Sequence, residues 1–138
     1  MIQEQKELLI KDLCARLPYG VKFACNKNIY TAKGLDLIVT DGGDWEYAVT
    51  AKGITPIEID FIKPYLFPLS SMTEEQIQEY TYIVNYISSD DTENWVEGEF
   101  IYVEQFTQLM HFYHTNHLDY MGLIPMGLAN DATGLNIY

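Results

Sequence analysis

The sequence has 138 residues, 48% of them hydrophobic and 14% aromatic, and a formal net charge of −12. This composition excludes a disordered chain, and the sequence has neither the apolar run of about 18 residues that a membrane helix needs nor the apolar segment of a secretory signal. The negative charge excludes direct binding to nucleic acid or to anionic membranes. From the length, and because neither segment is present, we expect a single cytoplasmic domain spanning residues 1–138.

Residues 3–17 predict an amphipathic helix. Asp12 and Arg16 form an acid-before-base pair at i, i+4, which supports a helix by a few tenths of a kcal/mol. Pro18 and Gly20 then end it. Four apolar side chains recur at helical spacing and are expected to face the core, namely Ile10, Leu13, Cys14 and Leu17.

Alternating apolar and polar residues predict four strands after this helix, over residues 21–26, 34–40, 45–50 and 57–61. The stretch Asp41-Gly42-Gly43-Asp44 predicts a hairpin turn between the second and third strands, because glycine adopts the positive φ that tight turns require. Strands at this spacing indicate a small antiparallel meander or an SH3-like barrel. Three aromatic residues are interpreted as packing residues, with a ligand groove as the alternative: Trp45, Tyr47 and Tyr65.

Helices and connecting segments are predicted for the second half of the chain. Prolines in residues 63–68 indicate a stiff connector, and Thr73 with Gln76 forms a capping-box pattern for a helix that runs to about Ile87. The remaining predicted segments are an acidic loop over 88–94, an extended piece over 99–103, a helix over 104–118 and an irregular tail. The fold class is therefore α+β: an N-terminal helix, a small antiparallel meander or SH3-like barrel, two helices and a packed irregular C-terminal tail.

The three histidines of the chain, His111, His114 and His117, follow one another at spacing three, and Asp119 comes next. Residues three apart on a helix turn by about 300°, so all three imidazoles cannot close on one ion. Helical zinc pairs use i, i+4 spacing with a third ligand from elsewhere. One interpretation is a metal or ligand site formed by His114, His117 and Asp119. We prefer the other interpretation, in which His117 is partly buried and hydrogen-bonds to Asp119 or to a backbone carbonyl.

No motif in the sequence indicates catalysis. Cys14 and Cys25 have no base adjacent in sequence, and no serine lies in a GxSxG elbow. Asp41 and Asp44 are explained by the hairpin turn, and no glycine-rich nucleotide loop is present. We therefore expect a protein that is not an enzyme and uses no cofactor.

Three segments carry a resemblance: KDLCARLPYGV (11–21), IKPYLFPLSSMTEEQ (62–76) and HLDYMGLIPMGLA (117–129). In this order they resemble a widespread set of small uncharacterised proteins encoded in gut-bacterial genomes, their mobile elements and their phages. The resemblance extends over nearly the whole chain and implies a phage or mobile-element setting, without an activity. Related sequences have a tryptophan-containing helix that ends in two histidines before the aspartate. Here Phe112 and Asn116 replace the tryptophan and the first histidine.

The charge distribution leads to the functional prediction. All eight Lys and Arg residues lie in residues 1–63 together with nine acids, whereas residues 64–138 contain eleven acids and no fixed cation. We expect a non-enzymatic binding protein whose acidic C-terminal half contacts a basic protein partner. A structural or assembly component is a further alternative, and the oligomeric state stays open. The predicted contact residues are five exposed acids: Asp90, Asp91, Glu93, Glu97 and Glu99.

Overall fold

The structure, a computed structural model, describes residues 1–89 and 95–138, and it describes only the backbone of residues 86–89 and 95–103. Its order of one helix, then strands, then two helices confirms the predicted α+β class. Within these residues no helix has an apolar span long enough to cross a membrane. The elements in chain order are α1 (Gln3–Arg16), β1 (Lys22–Cys25), β2 (Asn28–Thr31), β3 (Gly34–Val39), β4 (Trp45–Thr50), β5 (Ile57–Glu58), β6 (Lys63–Leu66), α2 (Glu74–Ser89), α3 (Trp95–Thr115) and β7 (Asn130–Asp131).

The strands form two sheets. One has the order β3-β4-β5 and is an antiparallel meander of the last three predicted strands. The prediction of a single meander or barrel is wrong for the first predicted strand, because β1 lies in the other sheet, of order β2-β1-β6-β7, beside the unpredicted strand β2. The predicted hairpin turn is confirmed, because Val39 pairs with Trp45 across it and Gly43 has a φ of 82°. The tail closes the second sheet, where β7 runs parallel to β6.

The predicted connector at residues 63–68 is wrong over its first part, because Lys63–Leu66 form strand β6 between β1 and β7. Proline cannot donate a hydrogen bond to a neighbouring strand, and it is normally confined to sheet edges. Pro64 pairs with Phe23 of β1, but the pairing with β7 begins only at Tyr65. Pro64 therefore lies at a local edge, and its restricted φ suits the extended strand.

The boundaries of the last helices also differ from the prediction. Residues 99–103 belong to α3, which begins at Trp95 and ends at Thr115, so the predicted extended piece is wrong. β-branched and aromatic residues there favour a strand locally, and the tertiary context overrides this weak preference. Ser88 and Ser89 of the predicted acidic loop belong to α2, and residues 90–94 lie outside the described part of the chain.

Two hydrophobic cores hold these elements together. The larger one joins α1 to both sheets and to the tail through Leu9, Phe23, Val49 and Leu123. The predicted apolar stripe of α1 is wrong in part, because Leu9, Asp12, Leu13 and Arg16 are its buried residues and Cys14 is exposed. The smaller core joins α2 and α3 through Ile83, Phe112, Tyr113 and Leu118. Each fully buried large apolar side chain stabilises the fold by about 1.5–3 kcal/mol.

Candidate functional site

A cleft of about 510 Å³ lies between α2, α3 and the 3₁₀ turn Leu17–Tyr19 that follows α1. Its apolar walls come from Tyr19, Tyr82, Ile83, Met110 and Phe112. Its polar groups are Glu79, Thr107, Gln108, His111 and His114. Aromatic and apolar walls with a few polar groups are typical of a binding site.

Helical spacing brings the cleft residues together. Residues three or four positions apart share one face of a helix, which explains why Glu79, Tyr82 and Ile83 of α2 line the same wall. On α3, Thr107, His111 and His114 are related by the same spacing and form the opposite wall.

The start of α2 is fixed by the predicted capping box. The N–H of Thr73 donates to Gln76 Oε1 over 2.9 Å, and the N–H of Gln76 donates to Thr73 Oγ1 over 3.2 Å. Gln76 Nε2 also donates to Asn116 Oδ1 over 3.0 Å, which ties α2 to the chain just after α3. The cap therefore sets both the first turn of α2 and its position against α3.

Two histidines form part of the cleft and contact tyrosines. His111 Nδ1 lies 3.0 Å from the hydroxyl of Tyr19, and the two rings meet edge to face. His114 is buried, with Nε2 2.9 Å from the hydroxyl of Tyr120. Burial, followed by the charges of Arg16 and His111, lowers the pKa of His114 to about 4. His114 is therefore neutral near pH 7 and does not repel a cation in the cleft.

Arg16 lies behind this wall. Its Nε donates to Asp12 Oδ2 over 2.7 Å, its Nη2 donates to the carbonyl of Leu118 over 2.6 Å, and its guanidinium lies 5.2 Å from the ring centre of Tyr120. Burial raises the pKa of Asp12, and the attraction of Arg16 offsets part of that rise. The Arg16 charge is thus paired inside the protein.

The predicted metal residues are not brought together as a ligand set. His114 contacts Tyr120, whereas both carboxylate oxygens of Asp119 accept backbone N–H groups, from Leu123 and Ile124, over 2.8 Å. Within the described ranges, no group of three or more His, Cys, Asp or Glu side chains is placed to hold a metal ion.

His117 has a different environment from the one expected. It follows the end of α3 with a φ of 54°, and its ring stacks on Tyr138 with ring centres 3.6 Å apart. Its Nδ1 is buried and finds no hydrogen-bond partner in the part of the chain that the structure describes, so the expected bond to Asp119 or a carbonyl is not made through that atom. Burial lowers the pKa of His117 to about 4, with smaller contributions from Arg16 and Lys22. This histidine packs against the tail and lies outside the cleft lining.

The side chains of the five acids predicted as contact residues lie outside what the structure describes. Asp90, Asp91 and Glu93 are in the undescribed segment, and of Glu97 and Glu99 only the backbone, in α3, is described. Other acids of this half are described and exposed: Glu74, Glu75 and Glu79 on α2, Glu104 on α3 and Asp131 in the tail.

Sequence reasoning missed most of the cleft lining, including Tyr19, Glu79 and Tyr82. The i, i+3 relation of Glu79 and Tyr82 on α2 was a usable signal, since it places a carboxylate beside an aromatic ring on one helix face. Tyr19 gave no such signal, because it lies 92 residues from its partner His111.

No family model, curated protein or solved structure matches this chain. The cleft is therefore interpreted from its own geometry.

Proposed function

We propose that this is a non-enzymatic binding protein whose α2–α3 half binds a basic protein segment, with one Lys or Arg side chain of the partner inserted into the cleft. The observation that carries the proposal is the cleft itself. It combines aromatic walls with the Glu79 carboxylate, in a half of the chain that has no Lys or Arg.

The cleft lining suits a cationic side chain. A guanidinium or ammonium group is attracted to an aromatic face by about 0.5–2 kcal/mol, and Tyr19 and Tyr82 offer such faces. Tyr82 is 68% exposed. The aliphatic stem of Lys or Arg packs on apolar groups such as Ile83 and Met110, while Glu79 pairs with the charge.

The charge of the two helices that build the cleft favours the same partner. Glu74, Glu75 and Glu104 are exposed on the two helices that build it. A surface of one sign speeds the encounter with an oppositely charged partner and makes it sensitive to salt. The five acids predicted from the sequence extend this charge along the chain. They stay part of the proposal as charges that speed association with the basic partner.

The test is a fluorescence-anisotropy titration with arrayed 15-residue peptides rich in Lys and Arg, each beside a version with Gln at those positions. We expect only the basic set to bind, and binding to weaken at least about tenfold between about 50 and 500 mM salt. Glu79→Gln and Tyr82→Ala remove the two recognition elements and should each weaken binding by about tenfold.

A matched control separates recognition in the cleft from general electrostatics. Glu4→Gln removes an exposed carboxylate from α1 and should change the dissociation constant by less than about twofold. Neutralising Asp90, Asp91, Glu93, Glu97 and Glu99 together should mainly slow association. Equal affinity for the basic and Gln peptides would reject the basic partner, and unchanged affinity of both cleft variants would reject the cleft as its site.

A further inference from the structure

A second surface, on the β3–β4 hairpin, exposes large apolar side chains. Leu37, Val39, Trp45 and Tyr47 are 51%, 55%, 71% and 42% exposed. Leu37 pairs with Tyr47 and Val39 pairs with Trp45, so the four side chains form one continuous area, the hairpin patch. Patches of this kind on a folded surface mark interaction sites.

A groove of about 490 Å³ borders the hairpin patch on the side of α1. Ile10, Leu37, Trp45 and Tyr47 supply its apolar lining. The groove is held in place by Lys6, whose Nζ lies 2.6 Å from Glu46 and 3.2 Å from Asp60. The hairpin patch and the groove therefore form one continuous surface that shares Leu37, Trp45 and Tyr47.

We infer that the hairpin patch and its groove are a self-association surface, where two copies of this chain pack face to face around a twofold axis. Such an interface uses the same area on both copies and must complement itself. The groove meets this condition because it carries both signs of charge, so that the cations of one copy can face the carboxylates of the other. These residues are Lys6, Lys11, Glu7 and Glu46. A partner of one charge would meet a like charge somewhere on this surface.

The charge of the whole chain selects the same face. Each copy carries −12, but residues 1–63 carry only −1 of it. Two copies therefore repel each other least when the α1 and hairpin sides meet, and most when the α2–α3 halves do. Asp41 and Asp44 in the hairpin turn add a repulsion that salt screens.

The hairpin face, and not the edge of β3, forms the interface. β3 lies at the edge of its sheet, where a further strand usually adds through backbone hydrogen bonds. Here the carboxylate of Asp36 accepts the N–H of Leu37 over 3.0 Å. This bond occupies an amide of β3 that edge pairing with a further strand would need.

Sedimentation velocity of the full chain from about 10 µM to about 1 mM tests the inference. We expect a monomer–dimer equilibrium in which the dimer is favoured at about 500 mM salt over about 50 mM, the opposite of the salt effect on a basic partner. Val39→Lys and Trp45→Ser should each weaken the dimer at least about tenfold, with far-UV circular dichroism to confirm the fold. Phe106→Ser, on the exposed side of α3, is the matched control and should leave the dimer unchanged.

Hydrogen exchange at low and high protein concentration locates the interface. Concentration-dependent protection confined to residues 37–47 and the facing turns of α1 supports the inference. A wild-type chain that stays monomeric at about 1 mM, a Val39→Lys variant that dimerises like the wild type, or protection of α2 and α3 in place of the hairpin would each overturn it.

Discussion

Arg16 connects two parts of the molecule, α1 and the segment that follows α3, through one buried side chain. It pairs with Asp12 in α1, binds the carbonyl of Leu118 after α3 and lies against the ring of Tyr120. Removing one partner of such a pair would leave a buried charge uncompensated. The fixed charge of Arg16 also contributes to the low pKa values of His114 and His117, so these two histidines stay neutral in the folded protein at pH 7.

The two histidines predict how stability depends on pH. The folded protein takes up a proton at His114 or His117 only near pH 4, whereas the unfolded chain does so near pH 6.5. Their contribution to stability is therefore complete above about pH 6.5 and is lost as the pH falls towards about 4, by an amount on the order of 2 kcal/mol for each histidine. Urea denaturation across this range measures the free energy of unfolding. His114→Gln and His117→Gln should each flatten the slope, and an unchanged slope in both would contradict the assignment.

At the scale of elements, the capping box at the start of α2 gives a prediction of its own. Thr73→Ala removes the hydroxyl that accepts the N–H of Gln76 and should lower the free energy of unfolding by about 1 kcal/mol. Gln76→Ala should cost more, because it also removes the contact with Asn116. The exposed Ser70 in the preceding turn is the control, and Ser70→Ala should be close to neutral. A Thr73→Ala variant as stable as the wild type would show that packing alone positions this helix.

Local patterns were sufficient for some elements and misleading for others. The hairpin turn at residues 41–44 and the Thr73 cap depend on neighbouring residues only, so the sequence predicts them well. The buried face of α1 did not follow from the sequence, because a pattern of apolar residues does not reveal that Arg16 is buried by its partners. Strand β6 was missed because its partners β1 and β7 are far away in the chain.

The candidate site was less predictable than the fold. Its α3 wall includes His111 and His114, which the sequence analysis considered in connection with metal binding. Tyr19 joins it only through tertiary packing. The acidic character of the second half, by contrast, is visible from composition alone and motivates the proposed partner.

At the scale of the whole molecule, the uneven charge predicts how salt affects stability. Eleven acids and no fixed cation in residues 64–138 repel one another in the folded state, and the only described ion pairs with surface exposure, from Lys6 to Glu46 and Asp60, lie in the other half. Screening should therefore raise the free energy of unfolding by about 1 kcal/mol between about 50 and 500 mM salt.

A variant with two described acids replaced, Glu79 and Glu104 each by Gln, separates stability from binding. Glu74 and Glu75 are kept, because carboxylates in the first turn of α2 stabilise its N-terminus. The variant should be more stable than the wild type at low salt and respond less to added salt, because the repulsion among the acids has been reduced. The same variant should bind the basic peptides more weakly, since it loses the cleft carboxylate and its surroundings. Thermal denaturation and peptide titration on one preparation measure both effects. Higher stability with weaker binding would mean that the acidic surface is maintained for a partner at the expense of the fold, whereas higher stability with unchanged binding would leave the charge a role in solubility alone.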